Sequence, residues 1–135
     1  MEPAGFFREV TVMIVFKVTM NVLPEKHLEI MQTLLAMIEP TAKKAGCLSF
    51  GVYCDIEDKN RFSLLGEWKT RENLDHHIAS PQFSVLLGTQ ALLCKPLQTQ
   101  IFTVSQSEGM DAIHKVRNNK KSNISPPDRH RRLIR

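Results

Sequence analysis

Residues 64–83, LLGEWKTRENLDHHIASPQF, hold the only tryptophan, two adjacent histidines, the end of one element and the start of two more. Apolar side chains alternate through Phe62 and Leu64 and on to Trp68, the two-residue period of a strand with a buried face. Thr70 stands where an N-cap belongs, its hydroxyl free to accept a backbone N–H of the first turn. Beyond it Leu74, His77 and Ile78 share one side of a helix. Ser80 and Pro81 then restart a helix as cap and first residue, and the spacing of Phe83, Leu86, Leu87 and Gln90 carries it to about residue 93. A strand ending in Trp68 and a helix presenting His77 thus converge on one place, where they can line a common cavity.

Working outward, residues 47–54 alternate Leu48, Phe50, Val52 and Cys54 with Ser49, Gly51 and Tyr53. They form a hairpin with residues 61–68 across the polar IEDKN turn. Upstream, Pro24 opens a helix whose first turns carry Glu25 and Glu29 at the positive end of the dipole. Leu28, Met31, Leu35, Ile38, Ala42 and Ala45 make its expected core stripe, with a kink expected at Pro40. Lys43 and Lys44 complement the negative end, and Gly46 is the left-handed stop. The first strand, residues 10–20, is apolar on both faces in its middle, and residues 97–105 supply the last one. The order β-α-β-β-α-β is the split βαβ arrangement of an α+β, ferredoxin-like fold with an antiparallel sheet. Two helices cover only one face of such a sheet, so a homodimer joined through the sheet face is expected.

A chain of 135 residues with 42% hydrophobic content suits one small domain with extensions. Residues 1–9 are a lead-in, 10–105 the domain and 106–135 a basic tail. Up to Ser105 there are ten Lys/Arg and eleven Asp/Glu, a net of −1; from Gln106 there are eight and three, a net of +5. The basic balance therefore belongs to the tail, and the domain carries no nucleic-acid footprint. Within the tail Met110, Ile113 and Val116 suggest a helical turn or two, followed from about residue 118 by an unstructured basic run. Nucleic-acid contact by that run is the sharper alternative to a passive extension. No apolar run of membrane-spanning length occurs, and MEPAGFFREV lacks the basic start of a signal peptide, so a cytoplasmic protein without membrane contact is expected. Cys47, Cys54 and Cys94 form no C-x-x-C pair and no zinc pattern with the histidines; buried free thiols and no metal site are expected.

GCLSF at 46–50, Trp68 closing its strand, the L-x-x-H of Leu74 and His77, and the S-P-x-F of Ser80 to Phe83 together resemble the antibiotic biosynthesis monooxygenase (ABM) domain family, over residues 10–105. The resemblance implies a dimeric α+β barrel acting without metal or flavin. It also implies a pocket between sheet and helices for a small aromatic or apolar ligand, in oxygenase members a phenol or quinol whose anion reacts with O₂. His77 would accept the phenolic proton and Trp68 would wall the site, with Leu64, Leu74, Phe83 and Tyr53 around the ligand. Two positions depart from the pattern: Gly66 stands where the family commonly has Glu, and Gln82 where it frequently has His. The alternatives are a non-catalytic dimer that binds an apolar ligand, a haem-degrading relative with His77 on the iron, and an interaction protein using the sheet face.

Overall fold

The computed structural model describes residues 12–123, with the backbone alone over the last three. In chain order the first unit contains β1 (Met13–Asn21), a 3₁₀ turn (Pro24–Lys26), α1 (His27–Ala42), β2 (Cys47–Asp55), β3 (Asp58–Trp68), α2 (Arg71–Ile78), α3 (Pro81–Leu87), a second 3₁₀ turn (Gly88–Leu92) and β4 (Gln98–Val104). The strands form one antiparallel sheet in the order β2-β3-β1-β4. This is the expected ferredoxin-like α+β arrangement. Residues 10 and 11 of the expected first strand lie outside the described residues.

β1 is paired on both sides, with β3 and with β4, and so runs through the middle of the sheet. Ile14, Phe16, Val18 and Met20 point toward the helices and join Phe62, Leu64 and Trp68 of β3 in the core. The register pairs Phe16 with Gly66 and Val18 with Leu64, so the two central strands present one continuous apolar face. On the opposite face stand Val15 and Leu65, with Tyr53 and Phe102 at 58% and 44% exposure.

Local chain chemistry places the helix ends. Thr70 Oγ1 accepts the Asn73 N–H at 3.1 Å, and Ser80 Oγ accepts the Phe83 N–H at 3.2 Å. Gly46 has φ +79°, and a Cβ there would collide with the Asn73 side chain, so the stop after α1 requires glycine on both counts. Its carbonyl accepts the Lys69 N–H at 2.8 Å, tying the turn before β2 to the end of β3.

Some expectations are corrected. The buried stripe of α1 is Ile30, Leu34, Met37 and Thr41, while Leu28 and Leu35 are exposed. Apolar residues ring more than half of this helix, so periodicity fits two adjacent stripes and the sheet's position selects one. The helix also continues through Pro40, which falls two residues before its end and removes one N–H bond there. The hairpin turn is shorter than IEDKN, because Asp58–Asn60 already belong to β3. α3 stops at Leu87, leaving Leu87 and Gln90 outward. The cysteines are free as expected, but Cys54 and Cys94 are exposed and Cys47 is half-buried.

A second unit begins at Gln106 and contains α4 (Met110–Asn123). It is longer than the turn or two expected, and residues 118–123 are helical. Asp111 in its first turn complements the positive end of the helix dipole. The rest of the run read as unstructured, residues 124–135, lies outside the described residues. No helix among the described residues is long and apolar enough to cross a membrane.

Candidate functional site

The alternation of β3 delivers Trp68 to the helix-facing side at the strand's last residue, and the Thr70 cap starts α2 two residues later. One and three-quarter turns on, His77 is carried back over the indole. The two rings stack with centroids 4.9 Å apart and planes inclined by 23°. Phe83, set at the start of α3 by the Ser80 cap, meets the imidazole edge-on at 5.4 Å, and Phe16 follows at 5.9 Å from Phe83. Both Trp68 and His77 are almost wholly buried, at 1% and 3% exposure.

A polar partner distant in sequence reaches this stack. Lys44, in the turn after α1, places Nζ 2.9 Å from His77 Nδ1 and donates at 2.9 Å to Ser80 Oγ. Ser80 Oγ in turn donates to the His77 carbonyl at 2.7 Å while accepting the Phe83 N–H. Burial, and secondarily the positive charge of Lys44, pull the His77 pKa from 6.5 down to about 4. The ring is therefore neutral at pH 7. An ammonium can only donate, so the tautomer that fits this contact carries its proton on Nε2. Burial also lowers the Lys44 pKa and raises that of the nearby Cys47 thiol.

Beside the stack lies an apolar cavity of about 10 Å³, room for a single water at most. Leu64, Gly66, Trp68, His77 and Phe83 line it, together with Phe16, Val18, Met37, Phe50 and Leu86. Trp68 Nε1 is buried without a hydrogen-bond partner among the described residues. Leaving such a donor unpaired costs about 1–3 kcal/mol, which an acceptor brought by a ligand would return.

Of the residues singled out in the sequence, Trp68, His77, Leu64 and Phe83 are brought together around this space. Leu74 is fully buried in the core but does not line the cavity. Tyr53 is not there either: it stands on the opposite sheet face, where its ring covers Gly51. A one-residue offset along β2 decides this, since side chains alternate between faces. Lys44 and Ser80 were legible only as helix-end residues. Their contact with His77 spans 33 and 3 positions, and the longer step leaves no periodic trace. No three of His, Cys, Asp and Glu are grouped so as to hold a metal ion among the described residues.

A family model described as antibiotic biosynthesis monooxygenase matches residues 13–86, from β1 into α3, the segment that builds the stack and its cavity. The chain belongs to the antibiotic biosynthesis monooxygenase family. It is 32% identical to a conserved protein from Methanosarcina mazei Go1, with a TM-score of 0.63 over 72% of this chain and 96% of that one. Rv0793 from Mycobacterium tuberculosis superposes with a TM-score of 0.66 at 22% identity, over 72% and 98% of the two chains, a likeness of fold alone. The uncharacterized protein sll1783 of Synechocystis is 29% identical over 89 residues, and the match spans 60% of that protein's length.

Within the ABM family pattern, the glycine at position 66 has a physical cause here. A Cβ on Gly66 would lie 2.8 Å from Trp68 Nε1, so the indole edge occupies the space a Glu side chain would need. Glu67 points to the opposite face, where its Oε1 accepts from Ser49 Oγ at 2.8 Å. Gln82, at the other departure from the ABM pattern, keeps its Oε1 buried without a partner among the described residues.

Proposed function

We propose that the protein is an ABM-type monooxygenase that takes a small phenol or quinol beside Trp68 and His77 and lets its anion react with O₂ without a bound metal or flavin. The observation that carries this reading is the buried, unpaired N–H of Trp68, whose ring lines an apolar cavity. An aromatic ring satisfies the apolar walls, and its oxygen satisfies the donor. His77 adds a second donor through Nε2, a role opposite to the proton acceptor expected from the sequence. Two N–H donors in a water-poor site stabilise an oxyanion, which is the electron-rich form that reacts with oxygen. The stoichiometry closes without an external reductant: a phenol with a free ring position and one O₂ give a quinone and one water.

The cavity is far smaller than a ligand pocket, so entry displaces lining side chains. Met37, unbranched and flexible, is the side chain best able to yield. Oxygen uptake with a panel of naphthols and quinols tests the activity. Trp68→Phe, which keeps the ring and deletes the N–H, is expected to lower kcat/KM by about 100-fold. If the ligands bind but no member of the panel consumes O₂, the protein is a binding module and not an oxygenase.

The same reading includes a homodimer across the face bearing Val15, Leu65, Tyr53 and Phe102, whose apolar exposure supports it. Light scattering at micromolar concentration is expected to return about twice the chain mass of 15.4 kDa. A monomeric mass would remove the dimer from the proposal.

A further inference from the structure

We propose that Lys44 sets the ligand specificity of this cavity: it locks His77 as a hydrogen-bond donor and leaves the site with an unbalanced positive charge, so that a small aromatic anion is selected over its neutral counterpart. The inference rests on the reading of the Trp68–His77 cavity as the ligand site.

Lys44 Nζ contacts two acceptors, His77 Nδ1 and Ser80 Oγ, each at 2.9 Å, and both are neutral groups. Among the described residues no carboxylate lies within ion-pair distance of it. Its neighbour Lys43 is paired with Glu39 at 3.4 Å, and Lys26 with Glu29 at 3.6 Å. The remaining candidate counter-charge is Cys47 at the start of β2, and burial raises that thiol's pKa, which disfavours the thiolate. Burial lowers the Lys44 pKa as well, and no carboxylate balances the ammonium at the back of the imidazole.

Geometry directs that charge inward. The ring is clamped between the indole, the edge of Phe83 and the ammonium, so it has one orientation. Ser80 Oγ is saturated, donating to the His77 carbonyl and accepting from both Lys44 and the Phe83 N–H, which fixes Nζ in turn. A neutral ligand gains the hydrogen bonds of Trp68 and His77. An anion gains them and also the Coulomb attraction, which low-dielectric surroundings strengthen.

Trp68 is the only tryptophan and so reports occupancy by its own fluorescence. The probes are lawsone, a hydroxynaphthoquinone ionised at neutral pH, and its uncharged methyl ether. The native protein is expected to bind lawsone on the order of tenfold more tightly. Lys44→Met should erase that preference, and Lys44→Arg should retain it. In ¹⁵N NMR of the ligand-free protein, His77 should carry its proton on Nε2, and Lys44→Met should shift the ring toward a mixture of tautomers. Equal affinity of the native protein for both probes overturns the selectivity, and a preference that survives Lys44→Met overturns the role of Lys44. An unchanged His77 tautomer in Lys44→Met overturns the lock. If neither probe quenches Trp68 although the tautomer shifts, the ligand reading of the cavity and the selectivity fall together, while the lock on His77 stands.

Discussion

Replacing Trp68 with alanine is expected to remove about 3–5 kcal/mol of folding stability, the largest loss for any single side chain of the site. The indole is 1% exposed, ends the central strand β3 and is stacked on His77, so its removal forfeits the buried area, opens a cavity and frees the imidazole. The surrounding walls come from β1, β2, β3, α1, α2 and α3, and collapse onto the void would require all of them to move. Urea denaturation followed by circular dichroism measures it; a loss below 1 kcal/mol would mean that the ring is not packed as described. Gly66→Ala gives a companion result. Its Cβ would sit 2.8 Å from Nε1, forcing the indole aside at about 1–3 kcal/mol. In a Trp68→Phe background, where the six-membered ring ends short of that position, the same substitution should lose much of its effect. An equal penalty in both backgrounds would show that Gly66 is required for another reason.

Stability is expected to fall by roughly 3 kcal/mol as the pH drops from 6.5 to 4, and His77 is the cause. Its folded pKa, about 4, lies below the ordinary value of 6.5 because burial and the Lys44 charge disfavour the imidazolium. Above pH 6.5 the ring is neutral folded or unfolded, and its contribution is complete. Between 6.5 and 4 the unfolded chain takes up a proton that the folded chain does not, so acid favours unfolding. Below about 4 the effect levels off. A loss of this size is large against the 5–15 kcal/mol typical of a domain. Unfolding midpoints in urea across this range, compared with those of His77→Gln, isolate the contribution, since the variant should show a shallower slope by that amount. Identical slopes would mean that the ring is as accessible to protons in the folded chain as in the unfolded one.

How far the site was legible depends on the range over which each signal acts. Thr70, Ser80, Pro81 and Gly46 were readable because caps and left-handed turns are made within three or four residues, so the residue type and its neighbours contain the whole interaction. Alternation through Phe62, Leu64 and Trp68 fixed which side of β3 faces the helices. With these the element order and the meeting of Trp68 with His77 followed from the chain alone.

Tertiary packing decided the remainder. It chose Ile30, Leu34 and Met37 over the equally periodic Leu28 and Leu35 as the buried stripe of α1. It turned Tyr53 to the far side of the sheet, closed the cavity to about 10 Å³, and laid the indole edge over Gly66. Above all it joined Lys44 to His77 across 33 residues and buried the imidazole, which holds the ring neutral at pH 7. Sequence encodes which groups are present and which local geometry each prefers. The protonation and direction of a buried side chain depend on what the folded chain brings against it, and only the assembled structure supplies that.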